Sequence, residues 1–360
     1  MNMTPLEILW YSRSPHPCPL GLAAQLGWFI DEFRDDGIRV FTVQDSVDLT
    51  LRDSHLDHHL PNSIRQGGNV PAIWARSRGA RTRVIGLSWM NEFQAIVSLP
   101  GRGIEVPAHL AGRRVALPVY DSSVDGRRSE ALHGFLVTLA GAGLQPKDVR
   151  FVDVAADRYW QPRPVAAAHG AGSDSTVRAA PPGVFGEYAR QIGALLRHEV
   201  DAVYVKGARG LRAAHIVHGH IVQDLRVHPD PMAQVHTGTP RPITVDEELL
   251  QTHPEVVERF LARILAAGQW AATHPRETAA YISRETQASE EFVHEAYGID
   301  VHRHLVTDLA SRSVQALESH QHFLREWGFI NKGFDVRAWI DPGPLAAARE
   351  RVADQALQVL

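Results

Sequence analysis

Val106-Pro107-Ala108-His109-Leu110-Ala111-Gly112-Arg113-Arg114-Val115-Ala116-Leu117 decides how this chain is organised. A proline-led helical turn runs into a glycine and then into an apolar run with strand spacing. This passage marks entry into a second lobe near residue 99. Upstream, Leu6–Tyr11 and Ile38–Val43 read as strands around a helix at Leu20–Phe33. Pro61–Gln66 reads as a short helix that Gly67-Gly68 ends. Val84–Leu87 and Ala95–Ser98 read as strands. Downstream come a helix around Ser129–Ala142, a strand at Val149–Val154, a helix near Gly186–His198 and a strand at Ala202–Val205. From Asp246 onward the pattern is almost entirely helical.

Strand–helix alternation in this order predicts an α/β architecture with largely parallel sheets. A return crossing is expected near residues 226–240, which hold Pro229, Pro231 and Pro240, with Pro242 just beyond. The expected division is therefore residues 1–98 plus 236–360 as lobe I and 99–235 as lobe II. Such a layout resembles the two-lobed, type II periplasmic-binding-protein-like architecture, whose central cleft suits a small-molecule ligand. Pro162–Pro182 is rich in Ala, Gly, Ser and Pro and reads as a loop.

Composition narrows the function. The chain of 360 residues has room for two lobes, and 44% hydrophobic residues suit an ordinary globular core. Formal charge is −4, with no block of like charge to suggest nucleic-acid or membrane binding. Twenty histidines should raise the net charge noticeably below neutral pH. A single cysteine, Cys18, excludes an internal disulfide or a multi-cysteine metal site. No run reaches transmembrane length, and the first residues lack secretory features, so the chain is expected to be cytoplasmic.

Three separated pieces carry the chemistry: Trp10-Tyr11-Ser12-Arg13-Ser14-Pro15-His16-Pro17, then His55, then Arg65-Gln66-Gly67-Gly68-Asn69-Val70-Pro71. Together they resemble the active-site frame of the bacterial aryl-sulfinate desulfinases, in which the first segment reads Tyr-Ser-x-Cys-Pro-x-Pro. Ser14 stands where that family has its catalytic cysteine. Further likeness lies in Arg81–Gly86, Leu110–Arg114, Val200–Tyr204, Gly268–Ala271 and Gln321–Leu324, so it spans nearly the whole chain. The resemblance implies a cofactor-free, metal-free hydrolase that cleaves the carbon–sulfur bond of 2'-hydroxybiphenyl-2-sulfinate or a related sulfinate and releases sulfite. It assigns catalytic roles to Ser14, His55 and Arg65, and substrate contact to Gly68.

Residue chemistry fits that expectation. Arg65 presents a planar fork of donors that can hold both sulfinate oxygens. Gly67 and Gly68 let backbone approach an anion closely. His55 could deprotonate the group at position 14 or protonate the aryl carbon; outside the motif it would be a solvated histidine in the polar loop Asp53–His59. A serine hydroxyl is a weak nucleophile without an adjacent base. Ser14 thus leaves three readings: a Cys-to-Ser substitution that traps substrate, a natural serine variant working with His55, or a catalytically silent binder. As a plain turn residue before proline it would need no function at all.

Trp74, Trp89 and Trp160 are candidate walls for an aryl group, and Tyr204 could reach the cleft from the second lobe; Trp89 and Tyr204 are the preferred pair. Cys18 reads as a small half-buried residue before a helix, although a helix N-terminus would lower its pKa. The runs His55–His59 and His215–His220 lack a familiar ligand spacing, so no metal site is assigned. The partner class is a small aromatic anion, with a monomer as the expected state. Two competing functions remain. One is a non-catalytic cytosolic binder of a sulfonate, sulfinate or carboxylate. The other is a pyridoxal-phosphate-dependent pyrimidine-precursor synthase, disfavoured because Lys147, Lys206 and Lys332 all lie outside the early motifs.

Overall fold

The computed structural model describes residues 5–120, 122, 124–156 and 185–358, with the side chains of 355–358 excepted. Trp160 and the loop expected at Pro162–Pro182 lie outside the described residues. The strands in chain order are β1 (Ile8–Arg13), β2 (Arg39–Thr42), β3 (Ser63–Gln66), β4 (Thr82–Ser88), β5 (Gln94–Ser98), β6 (Arg114–Val119), β7 (Arg150–Ala155), β8 (Ala202–Lys206), β9 (His220–Asp224) and β10 (Arg241–Asp246). They form two five-stranded sheets, ordered β2-β1-β3-β10-β4 and β7-β6-β8-β5-β9.

Both sheets are mixed rather than largely parallel. In the first, β1 pairs parallel with β2 and β3, while β10 runs antiparallel between β3 and β4. In the second, β6 pairs parallel with β7 and β8, while β5 runs antiparallel to β8 and β9. The antiparallel members, β5 and β10, are the strands that directly follow each passage from one sheet to the other. Because β5 already belongs to the second sheet, the first passage falls at Trp89–Phe93, before the expected boundary at residue 99. The second runs between β9 and β10.

The first helices are α1 (Pro19–Gln25), α2 (Trp28–Phe33), α3 (Leu49–Asp57) and α4 (Asn69–Ser77). The helix expected over Leu20–Phe33 is broken in two because Gly27 takes φ 78, a left-handed conformation that side chains resist. Its apolar face still reaches the core, where Phe29 stacks on Phe260 at 3.9 Å. The polar segment around His55 is helix, not loop. Asp48 caps it by accepting from the Thr50 amide, and His58 at φ 58 ends it. The expected helix at Pro61–Gln66 is instead β3. Its backbone pairs with both β1 and β10, and Ile64 and Gln66 are fully buried; this pairing outweighs the helix-opening proline. Gly67-Gly68 consequently starts α4 rather than ending a helix.

The second lobe contributes α5 (Gly126–Gly141), α6 (Ala189–Leu196) and α7 (Gly207–Ile216). The C-terminal part supplies α8 (Glu247–Thr252), α9 (Pro254–Thr273), α10 (Pro275–Thr286), α11 (Glu290–Tyr297), α12 (Ser311–Glu326), α13 (Val336–Trp339) and α14 (Gly343–Gln358). Among the described residues no helix is long and apolar enough to cross a membrane.

Candidate functional site

The parallel register of β1 and β3 places Ser12 beside Arg65 and Arg13 beside Gln66. One residue further on, the Ser14 amide donates to the Gln66 carbonyl at 3.1 Å. The chain then turns tightly, with the His16 amide donating to the Ser14 carbonyl at 2.8 Å. Pro15 and Pro17 stiffen that turn. Arg241 on β10 anchors its far end by donating to the Pro17 carbonyl at 2.7 Å. The sequence pieces around positions 14 and 65 therefore meet through sheet pairing.

His55 arrives from the last turn of α3 and is 1% exposed. Its Nε2 lies 3.4 Å from the Ser14 hydroxyl, and its Nδ1 lies 3.0 Å from the Ser12 hydroxyl. Burial, then the charge of Arg65, holds the imidazole well below its usual pKa, so the ring is neutral. A neutral ring has one donor and one acceptor. When Nδ1–H donates to Ser12, Nε2 is left to accept the Ser14 hydroxyl proton, which is the arrangement a general base requires. The contact is long for a hydrogen bond to a hydroxyl.

Arg65 is buried beside this pair. Its Nε donates to the His55 carbonyl at 2.6 Å and its Nη2 to the Gly68 carbonyl at 3.1 Å. Two of its donors are thus committed to backbone, and the side chain braces the end of α3 against the glycine turn. A Cβ on Gly67 would lie 2.4 Å from Arg65 Nη2 and 2.8 Å from His55 Cε1. Guanidinium and imidazole therefore converge on a backbone position where a side chain does not fit.

Thr237, from the second passage between sheets, completes the floor. Its carbonyl accepts from the Asn69 amide at 2.7 Å at the start of α4. Its hydroxyl lies 3.1 Å from where a Cβ on Gly68 would stand and 3.4 Å from where one on Gly126 would stand. That hydroxyl is buried and finds no hydrogen-bond partner among the described residues. The first turns of α4 and α5, one from each lobe, thus flank it with their positive ends.

Trp89 and Tyr204 are the two aromatic residues expected to touch substrate. Trp89 is half-buried beneath the Arg312 guanidinium, 4.3 Å from its ring centre. Tyr204 is in the second-lobe core, with its hydroxyl donating to Gln94 Oε1 at 2.9 Å and its ring pressed on Gly134. Trp74 packs against Arg78 and lines a hollow of about 590 Å³ beside His58 and His59, away from Ser14. Cys18 caps α1 through its sulfur, and burial pushes its thiol up rather than down, so it serves structure.

Sequence reasoning missed a buried ionic group between the lobes. Lys206 Nζ lies 3.2 Å from Glu92 and 3.7 Å from Glu130, and His236 lies 3.3 Å from Glu92. All four side chains are at most 5% exposed. Burial raises the Glu130 carboxyl to about 7 although Lys206 and Arg127 pull it down. Charged residues scattered singly among apolar ones were the available signal, but sequence does not tell buried from solvated charge.

With the site in place, the fold can be assigned a class: a two-lobed architecture like that of the periplasmic binding proteins. It aligns with a periplasmic sulfonate-binding protein SsuA from Methylobacillus flagellatus KT, described as putative, at TM-score 0.69 and 15% identity, over 97% of this chain and 96% of that one. The likeness to a cysteine-to-serine mutant of the desulfurization enzyme DSZB, crystallised with biphenyl-2-sulfinic acid, has TM-score 0.72 at 22% identity, covering 96% and 99%. In sequence the chain resembles 2'-hydroxybiphenyl-2-sulfinate desulfinase from Rhodococcus erythropolis, being 24% identical over 93% of this chain and 92% of that relative. The protein of that name from Rhodococcus qingshengii aligns equally well. No family model matches the chain.

Proposed function

We propose that this chain handles a small aromatic sulfinate at Ser14, His55, Arg65 and the Gly67-Gly68 turn, as a desulfinase-type hydrolase of the carbon–sulfur bond. The observation that carries this reading is the buried contact of Ser14 with a neutral His55 that Arg65 braces. The sulfinate oxygens rest against the glycine turn and the start of α4, where backbone donors and the Arg65 charge suit an anion. The group at position 14 faces sulfur. His55 takes the proton of the position-14 group, which bonds to sulfur as the carbon–sulfur bond breaks. The electron pair goes to the aryl carbon, which takes that proton to give the arene. Water then cleaves the bond between position 14 and sulfur, restoring the proton at position 14 and releasing sulfite. His55 serves this proton traffic.

Serine makes the sulfur step slow, because its hydroxyl must lose a proton to a base that lies 3.4 Å away. A thiol ionises far more readily. Ser14→Cys should therefore release sulfite from benzenesulfinate or biphenyl-2-sulfinate at a rate well above that of the serine form. Sulfite detection with both forms tests this. If the cysteine form releases none, the hydrolase reading fails.

A binding-only role has one specific observation in its favour, the hydroxyl at position 14. A serine-bearing relative of this fold has been crystallised with biphenyl-2-sulfinic acid. Calorimetric binding of sulfinates with no turnover in either position-14 form would make this chain a binder.

A further inference from the structure

The wall facing the Ser14–Pro17 turn carries a cluster of ionic side chains, with Tyr297 among them. His16, two residues past Ser14, lines a crevice of about 10 Å³ with Lys206, Arg209 and Glu187 of the second lobe. Its Nδ1 is buried and finds no hydrogen-bond partner among the described residues. Burial and then Lys206, Arg241, Arg209 and Arg127 hold the imidazole neutral, so these four cations all bear on one point beside the turn.

Glu187 answers part of that charge. Its carboxylate lies 2.9 Å from Arg127 and 2.9 Å from Arg209, and a three-residue 3-10 turn carries it. Burial would raise this carboxyl, but the two arginines outweigh burial and bring it down to about 2, so it stays ionised. Lys206 is shared between Glu92 and Glu130, and Glu130 is only partly ionised near neutrality. These groups leave the crevice with an excess of positive charge. A bare biphenyl ring would bury this wall without satisfying it.

Resting on the sulfinate reading above, we infer that the substrate carries a second acidic group, a carboxylate or its equivalent, which meets His16 beside Ser14 and Arg209 of the second lobe; because the crevice is smaller than a carboxylate, this acid takes the place of the Glu187 carboxylate between the two arginines. The ligand class is a small aromatic dianion. His16 offers a neutral imidazole that can donate to that acid, and Arg127 with Arg209 already shows the geometry that holds a carboxylate.

Calorimetry on the full chain tests this with benzenesulfinate, biphenyl-2-sulfinate, and the 2- and 3-carboxybenzenesulfinates. At least one carboxylated probe should bind roughly tenfold or more tighter than benzenesulfinate, the equivalent of one charge-assisted hydrogen bond. Glu187→Gln should strengthen the carboxylated probe further, since it removes the competing carboxylate. Arg209→Gln should shrink the difference between probes to about threefold or less, roughly half of one tenfold step in free energy. Retained melting temperature of Arg209→Gln and Glu187→Gln confirms folding, and Arg209→Lys offers a conservative second variant that should keep part of the preference. Equal binding of benzenesulfinate and both carboxylated probes, or tightest binding of biphenyl-2-sulfinate, overturns the second-acid site and leaves the sulfinate reading standing. Failure of every sulfinate to bind overturns both.

Discussion

On the sulfinate reading, His55 acts as a base only while its ring is held at Ser14; Ser12 holds the ring at Nδ1, and Arg65 and Gly67 shape its surroundings. Arg65 ties the His55 carbonyl to the Gly68 carbonyl, and Gly67 leaves room for guanidinium and imidazole to sit side by side. Arg65→Lys keeps a positive charge but loses the planar fork, so it should cost about 2 kcal/mol of stability, the worth of a hydrogen bond or two from a charged donor. Gly67→Ala drives a methyl into both groups and should cost about 1–3 kcal/mol, as overpacking of a dense site does. Denaturant unfolding measures both. Sulfinate affinity should fall further in Gly67→Ala than in Gly68→Ala, whose methyl would meet Thr237 at 3.0 Å. A fully stable Gly67→Ala with unchanged affinity would show that the turn is not packed against the site. Legibility at this scale was uneven. Tyr11 to Pro17 and Arg65 to Gly68 were readable as a motif, because both are short and local. Thr237 and Lys206 were not, because each reaches the site through pairing between residues far apart in sequence.

At the scale of elements, periodicity recovered β1, β4, β6, β8 and α5 nearly as they stand, since each shows its buried face in its own sequence. It failed at α3 and β3. The weak amphipathicity of α3 hides a helix that Asp48 caps and whose burial is confined to Arg52, Ser54 and His55. β3 is four residues long and is defined by its neighbours on both sides. α5 carries a consequence for pH. Its Glu130 is 3% exposed, and burial raises its carboxyl from an ordinary value near 4.5 to about 7. The folded state therefore holds that proton more tightly than the unfolded chain does. The resulting stability is fully present below about pH 4.5 and is lost as pH rises through about 7. Glu130→Gln removes this titration. Relative to the parent, it should gain melting temperature between pH 5 and pH 8, by an amount on the order of 2–3 kcal/mol in free energy. A difference between the two proteins that does not change with pH would mean that Glu130 is not titrating in this range.

For the molecule as a whole, the decisive contacts are those that hold the two passages between sheets in one place. Glu92 lies on the first passage, His236 on the second, Lys206 at the end of β8, and Arg241 at the start of β10. A methyl on Gly238 would approach Glu92, His236 and Arg241 all at about 3 Å, so the second passage is packed onto these side chains. Lys206 is the only cation within ion-pair distance of the Glu92 carboxylate apart from the neutral His236 ring, among the described residues. Replacing it leaves two buried carboxyls with no ammonium between them. Lys206→Met should destabilise the chain by about 3–5 kcal/mol, the usual result of removing one member of a buried pair. The triple variant Glu92→Gln, Glu130→Gln, Lys206→Met carries no buried charge at this point and should recover most of that loss. Guanidinium unfolding of the parent, the single and the triple variant measures both steps. Small-angle scattering supplies the structural half: the single variant should scatter as a more open particle, because the unpaired carboxyls gain hydration only if the lobes part. A Lys206→Met protein with parental stability and parental radius of gyration would show that this ionic group does not join the lobes.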